Sequence, residues 1–322
     1  MLINYQKGGT QKNIYLAEDV EDIDCLQCGS NKNIKIHSEF GSIGIVRCNE
    51  CNLVFTSPRP KNSEKNYDGN IKDFEKEYNY FFEDLLEHHR DKNYRQEIFI
   101  IKKHIPTGKL LDVGCNAGRF LSLAIHSGYE GFGIEPSESL AKLGKDKLAL
   151  NIENCTLNRT KHKNKSFDVI TAIDVFEHIT NPLNFLRDCR NLLKDNGKLI
   201  IKIPNGNYSL FKLKLAKLLN KNIENLDIFD SYEHAVHHNK KSFKKMIEKE
   251  NFIIEKIYAP YPINPPVWAN YVGQYYQYPS PWFLDWKKIF LRKIFNFIGS
   301  LEVILGLEIH FQPDLMFILK KN

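Results

Sequence analysis

Four cysteines stand in two pairs, Cys25-x2-Cys28 and Cys48-x2-Cys51, separated by nineteen residues. Two knuckles at that distance bring four thiolates around one tetrahedral zinc ion. Sulfur fills all four positions, so no open site remains for water or substrate, and the ion is expected to be structural. Gly29 follows the first knuckle, where a tight turn exposes amides to sulfur. A redox pair or buried free thiols are the alternatives, and both leave the doubled spacing unexplained.

A second stretch, LLDVGCNAGRF at 110–120, reads as a buried strand, a glycine turn and a helix. A dinucleotide fingerprint needs G-x-G-x-x-G and a pyrophosphate at the helix N-terminus. Counted from Gly114, the other two glycine positions hold Asn116 and Arg119, and Asp112 at the strand end would repel a pyrophosphate. An acid there suits a cation. S-adenosylmethionine is such a ligand, with an ammonium, a sulfonium and no phosphate. The turn from Gly114 to Gly118 lets backbone approach its methionine part closely. One strand later, GFGIEPS places Glu135 where an acid accepts hydrogen bonds from both ribose hydroxyls. Taken singly, Asp112 reads equally as a helix cap and Glu135 as a solvated loop acid. Together on adjacent strands they point to a ligand.

Elements must hold these residues in place. From Lys109 to about Asn205 strand and helix patterns alternate: KLLDV, a helix from Arg119 to Ser127 closed by Gly128, GFGIE, a helix from Ser139 to Ala149, and FDVITAI. A helix then opens at Asn181-Pro182 and stops at Gly197, and GKLIIKIP follows. A helix near Ser242–Glu250 and the strands FIIEKIY and DLMFILKK complete the pattern. Such alternation predicts an α/β fold, a doubly wound, Rossmann-like, mostly parallel sheet. The predicted organisation is a four-cysteine zinc ribbon over 20–60, a helical connector over 61–108, and a sheet domain over 109–322 with inserts at about 207–240 and 259–312.

LLDVGCNAG, GFGIEPS and FDVITAIDVFEHITNP together resemble the class I S-adenosylmethionine-dependent methyltransferases, over about 105–257 plus the final strand. A glycine is usual in that family where Asn116 stands. CNLVFTSPRP after the second knuckle resembles a subset with an N-terminal zinc ribbon. That subset often modifies sugars and polysaccharides, which implies an activated, nucleotide-linked sugar as substrate in surface polysaccharide biosynthesis.

Methyl transfer from a sulfonium is an in-line displacement, so the enzyme aligns the nucleophile and removes its proton. Asp112, Gly114, Asn116, Gly118, Glu135 and Asp174 are the expected cofactor residues, and Asn154 to Leu157 should border the adenine. Asp174 and His178 follow the fourth strand; Asp174 is placed near the methionine or the substrate, and His178 as a base or the cap of the next helix. In SYEHAVHHNKKSF, the pair Glu233-His234 resembles the subset's Glu-His pair. A carboxylate beside a histidine fixes its tautomer and raises its basicity, which makes His234 the leading base. Tyr232 is a secondary candidate. His237 and His238 are expected to shape the helix start with Asn239 as its cap. A solvated histidine-rich loop is the plain alternative. Tyr67 stands where the ribbon subset often places a cleft tyrosine. His88-His89 reads as solvent-facing, and RTKHKNKS (159–166) as an exposed loop.

The chain has 322 residues and a net charge of +6, which favours an anionic partner or is simply a solvated surface. MLINYQKGGTQK has no apolar core of signal-peptide length, and no apolar run approaches ~18 residues. The expectation is a cytoplasmic protein. Trp268, Tyr275 and Trp282, among the aromatics of 259–312, suit a sugar pocket or a lid. YSLFKLKLAKLLNK and WFLDWKKIFLRKIFNFIG mix apolar residues with Lys and Arg. Either their apolar faces pack on the domain, or they lie on the anionic inner face of a membrane. Three functions therefore compete: a sugar methyltransferase, a peripheral membrane enzyme methylating a lipid or lipid-linked glycan, and a nucleic-acid-binding or -modifying protein. The ribbon lacks a dense basic cluster, which disfavours the third.

Overall fold

The computed structural model describes the backbone of residues 3–7, 10–61, 90–219, 227–260 and 286–322, and the side chains of 15–61, 90–219, 227–260 and 293–322. Tyr67, His88-His89 and the aromatic cluster over 261–285 lie outside the described residues. The chain divides into two compact units: 1–63, 204–242 and 264–314 form one, and 64–203, 243–263 and 315–322 the other.

The first unit begins with a hairpin of β1 (Ile3–Lys7) and β2 (Thr10–Ile14). β3 (Val20–Glu21) leads to an antiparallel sheet of β4 (Asn33–Glu39), β5 (Ile43–Cys48) and β6 (Val54–Thr56). β7 (Arg59–Pro60) then returns to pair with β3.

The second unit runs α1 (Asp91–Lys102), β8 (Gly108–Val113), α2 (Arg119–His126), β9 (Tyr129–Ile134), α3 (Glu138–Leu148), β10 (Ile152–Glu153), β11 (Phe167–Ile173), α4 (Pro182–Leu192) and β12 (Leu193–Pro204). The chain passes back to the first unit as α5 (Gly206–Leu218). It then makes α6 (Lys240–Glu248), β13 (Phe252–Tyr258), α7 (Trp286–Ile304) and β14 (Asp314–Lys321). The seven-stranded sheet has the order β10-β9-β8-β11-β12-β14-β13. β8 pairs in parallel with both β9 and β11, while β13 and β14 are antiparallel. The order reverses between β8 and β11, and open α/β sheets bind ligands beside the carboxyl ends of strands at such a point.

Buried parallel strands read as continuous apolar runs. Leu110 and Leu111 of β8 and Val169 and Ile170 of β11 are accordingly fully buried. One face of the sheet packs on Ile98 and Ile101 of α1 and on Phe120, Leu121 and Ala124 of α2. Elsewhere in this unit Phe243 lies against Phe176 at 5.6 Å and Phe317 at 4.2 Å between ring centroids. α4 starts as anticipated, with Pro182 in its first turn and Asn181 accepting from the Asn184 amide.

Gly197 does not stop that helix. α4 ends at Leu192, and Gly197 lies inside β12. Between the pairs Phe167↔Leu193 and Val169↔Lys198 the register shifts. A Cβ at Gly197 would come 3.0 Å from the Phe167 carbonyl oxygen, so the glycine permits this close strand approach. The 159–166 stretch is mostly exposed, as anticipated, but its histidine is packed. His162 stands edge-on to Phe167 at 4.9 Å and Phe132 at 5.4 Å, with its Nε2 3.7 Å from Glu153.

The two basic amphipathic segments are helical and only partly packed. In the first unit, Phe211 of α5 meets Phe295 of α7 and Phe311 at 5.8 and 5.1 Å. Leu218 of α5 and Leu219 just after it are exposed, as are Phe297, Leu301 and Ile304 of α7 and Leu305 just beyond it. Among the described residues no helix is long and apolar enough to cross a membrane.

Candidate active site

Asp112 ends β8 beside Thr171 of β11 and accepts a 2.7 Å hydrogen bond from its hydroxyl. Burial pushes the Asp112 carboxyl up to about 7, against the pull of that hydrogen bond; the charges of Glu135 and Glu97 add to the rise. An acid so strained in its ionised form is completed by a cation.

The turn after it alternates left-handed residues: Gly114 (φ 68°), Asn116 (φ 54°) and Gly118 (φ 82°). A Cβ at Gly114 would sit 2.7 Å from Val175, and one at Gly118 2.2 Å from the end of the Leu150 side chain, so a side chain at either position would meet a neighbour as well as an unfavourable φ. Asparagine is the side-chain-bearing residue best suited to a left-handed site. Asn116 fills it while its Oδ1 accepts from the Ala117 amide at 2.6 Å. The Asn116 amide in turn donates to Glu135 at 2.8 Å, and the Ser137 amide donates to the other Glu135 oxygen at 2.9 Å. Glu135 therefore ties the glycine turn to the end of β9. Asn154 donates to the Glu135 and Pro136 carbonyls at 3.0 and 2.9 Å and braces the same corner from β10.

Asp174 follows β11 in a left-handed conformation (φ 56°). Its carboxylate accepts from Arg90 at 2.5 Å and from Lys202 at 3.1 Å, and Lys202 also pairs with Glu97 of α1 at 3.0 Å. Although burial opposes ionisation, Lys202 and Arg90 hold Asp174 below the ordinary carboxylate range. Asp174 thus secures α1 and β12. Arg119, the first residue of α2, grips the buried Asp91 of α1 through two hydrogen bonds of 2.8 and 2.5 Å. His178 closes a short turn after β11, and Asn181 rather than His178 caps α4.

The other predicted chemical groups belong to the first unit. The Glu233 and His234 amides both donate to the Asp230 carbonyl at 3.0 Å, which folds 230–234 into one turn. Glu233 is exposed and His234 half-buried. Tyr232 stands edge-on to Phe40 at 5.1 Å. Burial and then the charges of Glu233 and Asp230 push its hydroxyl far up, which suits a hydrogen-bond donor and not a base. His237 is buried against Phe229 at 5.0 Å, and desolvation holds it well below the ordinary histidine value. His238 meets Ser242 at 3.2 Å, and Asn239 accepts from the Ser242 amide at 2.9 Å, capping α6.

Cys25, Cys28, Cys48 and Cys51 offer sulfurs within 4.8 Å of one another. Cys25 and Cys51 are 3.4 Å apart, and Cys28 and Cys48 3.5 Å. Bonds of ~2.3 Å to a tetrahedral zinc require sulfurs just under ~4 Å apart, so the cluster is compatible with that ion. The turn at Gly29 is formed, at φ 73°; its own amide donates to the Cys25 carbonyl, and the amides that reach the Cys25 sulfur are those of Gln27 and Cys28.

A doubly wound sheet with a buried acid beside each of two strand ends and a glycine cradle between them defines a Rossmann-like ligand-binding domain. Residues 86–257, just over half of the chain, match the model of a methyltransferase domain. The chain belongs to this methyltransferase family, whose cofactor is S-adenosylmethionine. The buried acids and the glycines of the cradle fit that cationic, phosphate-free group. A ubiquinone biosynthesis O-methyltransferase of Bradyrhizobium diazoefficiens is 33% identical over 112 residues, 34% of this chain and 44% of the relative. The same enzyme from Rhodopseudomonas palustris is 33% identical over the same shares. The match thus spans less than half the length of these relatives. A methyltransferase structure from Archaeoglobus fulgidus aligns with 76% of this chain and 99% of its own at 19% identity and a TM-score of 0.45.

Proposed function

We propose that the protein transfers a methyl group from S-adenosylmethionine to a small molecule, an activated, nucleotide-linked sugar. The observation that carries the methyl-donor half is the left-handed turn 114–118 flanked by buried Asp112 and Glu135. Bound S-adenosylmethionine supplies a methyl on a sulfonium, a leaving group already activated. The chain's own residues hold the donor and manage the acceptor's proton. Asp112 faces the cationic end, Glu135 the ribose hydroxyls, and the 114–118 backbone gives close approach. His234 takes the acceptor proton, with Glu233 orienting it, Tyr232 as a hydrogen-bond donor and His178 as the alternative base. The zinc ion, held by the four cysteines, is a brace. The sugar reading is supported by the likeness of the ribbon and the Glu233-His234 pair to sugar-modifying methyltransferases.

A second reading is a peripheral enzyme that methylates a lipid or lipid-linked glycan at an anionic membrane surface. The exposed apolar residues Phe297, Leu301 and Ile304 on α7 favour it, as does the ubiquinone named for the relatives. Methyl-labelled S-adenosylmethionine, incubated with the protein and a cell extract split into polar metabolites, lipids and nucleic acids, separates the readings. Label in the polar pool is expected. His234→Ala should cut that transfer ~10²-fold or more while cofactor binding stays intact. Label confined to the lipid or nucleic-acid pool would overturn the sugar, and near-normal transfer by His234→Ala would remove it as the base.

A further inference from the structure

The ribbon strands reach the turn that carries Tyr232, Glu233 and His234, and they hold it from both sides. On the C-terminal side, 235–237 pairs with β6 through an isolated antiparallel bridge. The Thr56 amide donates to the Ala235 carbonyl at 3.0 Å, the His237 amide donates to the Val54 carbonyl at 2.9 Å, and Phe55 bridges Val236. The fully buried Thr56 hydroxyl donates to the His234 carbonyl at 2.6 Å and lies 3.1 Å from His237 Nε2. On the N-terminal side, the buried Glu39 carboxylate of β4 accepts from the Ile228, Phe229 and Ser231 amides at 2.7, 2.9 and 3.2 Å. Val236 shares one apolar cluster with Cys25, Cys48, Leu53 and Phe55, so the core of the knuckles extends under the turn.

A brace for folding alone would need apolar contact. This arrangement aims a buried carboxylate at three backbone amides and a buried hydroxyl at the carbonyl of His234 itself. Buried polar groups are costly unless satisfied, and once satisfied they fix one geometry. We infer that Thr56 and Glu39 are positioning residues: the ribbon mounts the 230–234 turn and sets the His234 backbone for proton transfer. The inference rests on the reading of His234 as the base.

The test replaces Thr56 with valine, which keeps the shape and removes the hydroxyl, and with serine, which restores the hydroxyl. The 235–237 pairing uses the Thr56 main chain, so both variants retain it. Two readouts are taken on the full chain. One is amide hydrogen exchange over 228–238. The other is transfer of labelled methyl into the polar fraction of a cell extract, beside the affinity for S-adenosylmethionine. Thr56→Val should raise exchange over 228–238 about tenfold or more and lower transfer by a similar factor, with cofactor affinity within about twofold of the parent. Thr56→Ser should recover most of both. Glu39→Gln, which keeps one acceptor oxygen, should raise exchange over 228–231 in the same way. Parent-like exchange in Thr56→Val, or raised exchange with parent-like transfer, would overturn the positioning role directly. His234→Ala run alongside separates the failures: if that variant transfers methyl normally, the base reading falls and takes the positioning role with it.

Discussion

At the residue scale, Asp112 makes the site titratable. Unfolded, its carboxyl has the ordinary value of ~3.9; folded and without a ligand, burial lifts it to about 7. Between those values the folded protein holds a proton that the unfolded chain has released. The contribution of Asp112 to stability therefore falls as pH rises from ~4 to about 7, and changes little above that. A cationic ligand reverses the preference by stabilising the ionised carboxylate, and its binding releases the proton. Affinity for S-adenosylmethionine should rise with pH up to about 7 and then level off. Asp112→Asn should lose both affinity and this slope. Calorimetric titrations from pH 5.5 to 8.5, at about half-unit steps, check it; a parent curve as flat as that of Asp112→Asn would contradict it.

At the element scale, the knuckles carry the ribbon. Burial pushes the Cys51 thiol up to about 11. Burial also works against Cys48, yet amide hydrogen bonds from Cys51 and Glu50 bring it down to about 7. Thiols as unlike as Cys51 and Cys48 become thiolates together only around a cation. Elemental analysis should find one zinc per chain. Its removal by a chelator should loosen β5 and β6 and, with them, 235–237, which pair with β6. Hydrogen exchange of those segments with and without chelator checks this. Parent-like protection after complete metal loss would mean that the strands stand without the ion.

At the scale of the whole molecule, the second unit's alternation of strand and helix, its glycine turn and the cysteine knuckles were legible because each depends on local pattern, whereas the strand order is set by pairings far along the chain. Parallel strands are apolar runs, left-handed turns select glycine or asparagine, and tetrahedral sulfur needs paired spacing. The residues that hold the site were not legible. Thr171 sits within FDVITAI as one β-branched residue among several, and only its register against Asp112 reveals it. Asp91, Glu97 and Arg90 lie in the stretch read only as a helical connector, and their partners Arg119, Lys202 and Asp174 stand far along the chain. Asp174 was singled out by its place after the fourth strand, yet no spacing announces Arg90 or Lys202. Gly197 was misread because a glycine after a helical pattern is equally a helix stop and a point of close strand approach. Glu39 and Thr56 are separated from 228–237 by more than 170 residues, beyond the reach of any sequence period.

In the proposed function the methyl donor is held between Asp112 and Glu135. Calorimetric titration of S-adenosylmethionine into the parent, Asp112→Ala and Glu135→Ala proteins, each with its thermal unfolding recorded, tests that most directly. The expected result is binding to the parent and affinity about tenfold or more weaker in each variant, with cooperative unfolding retained. Equal affinity in all three proteins would contradict the account.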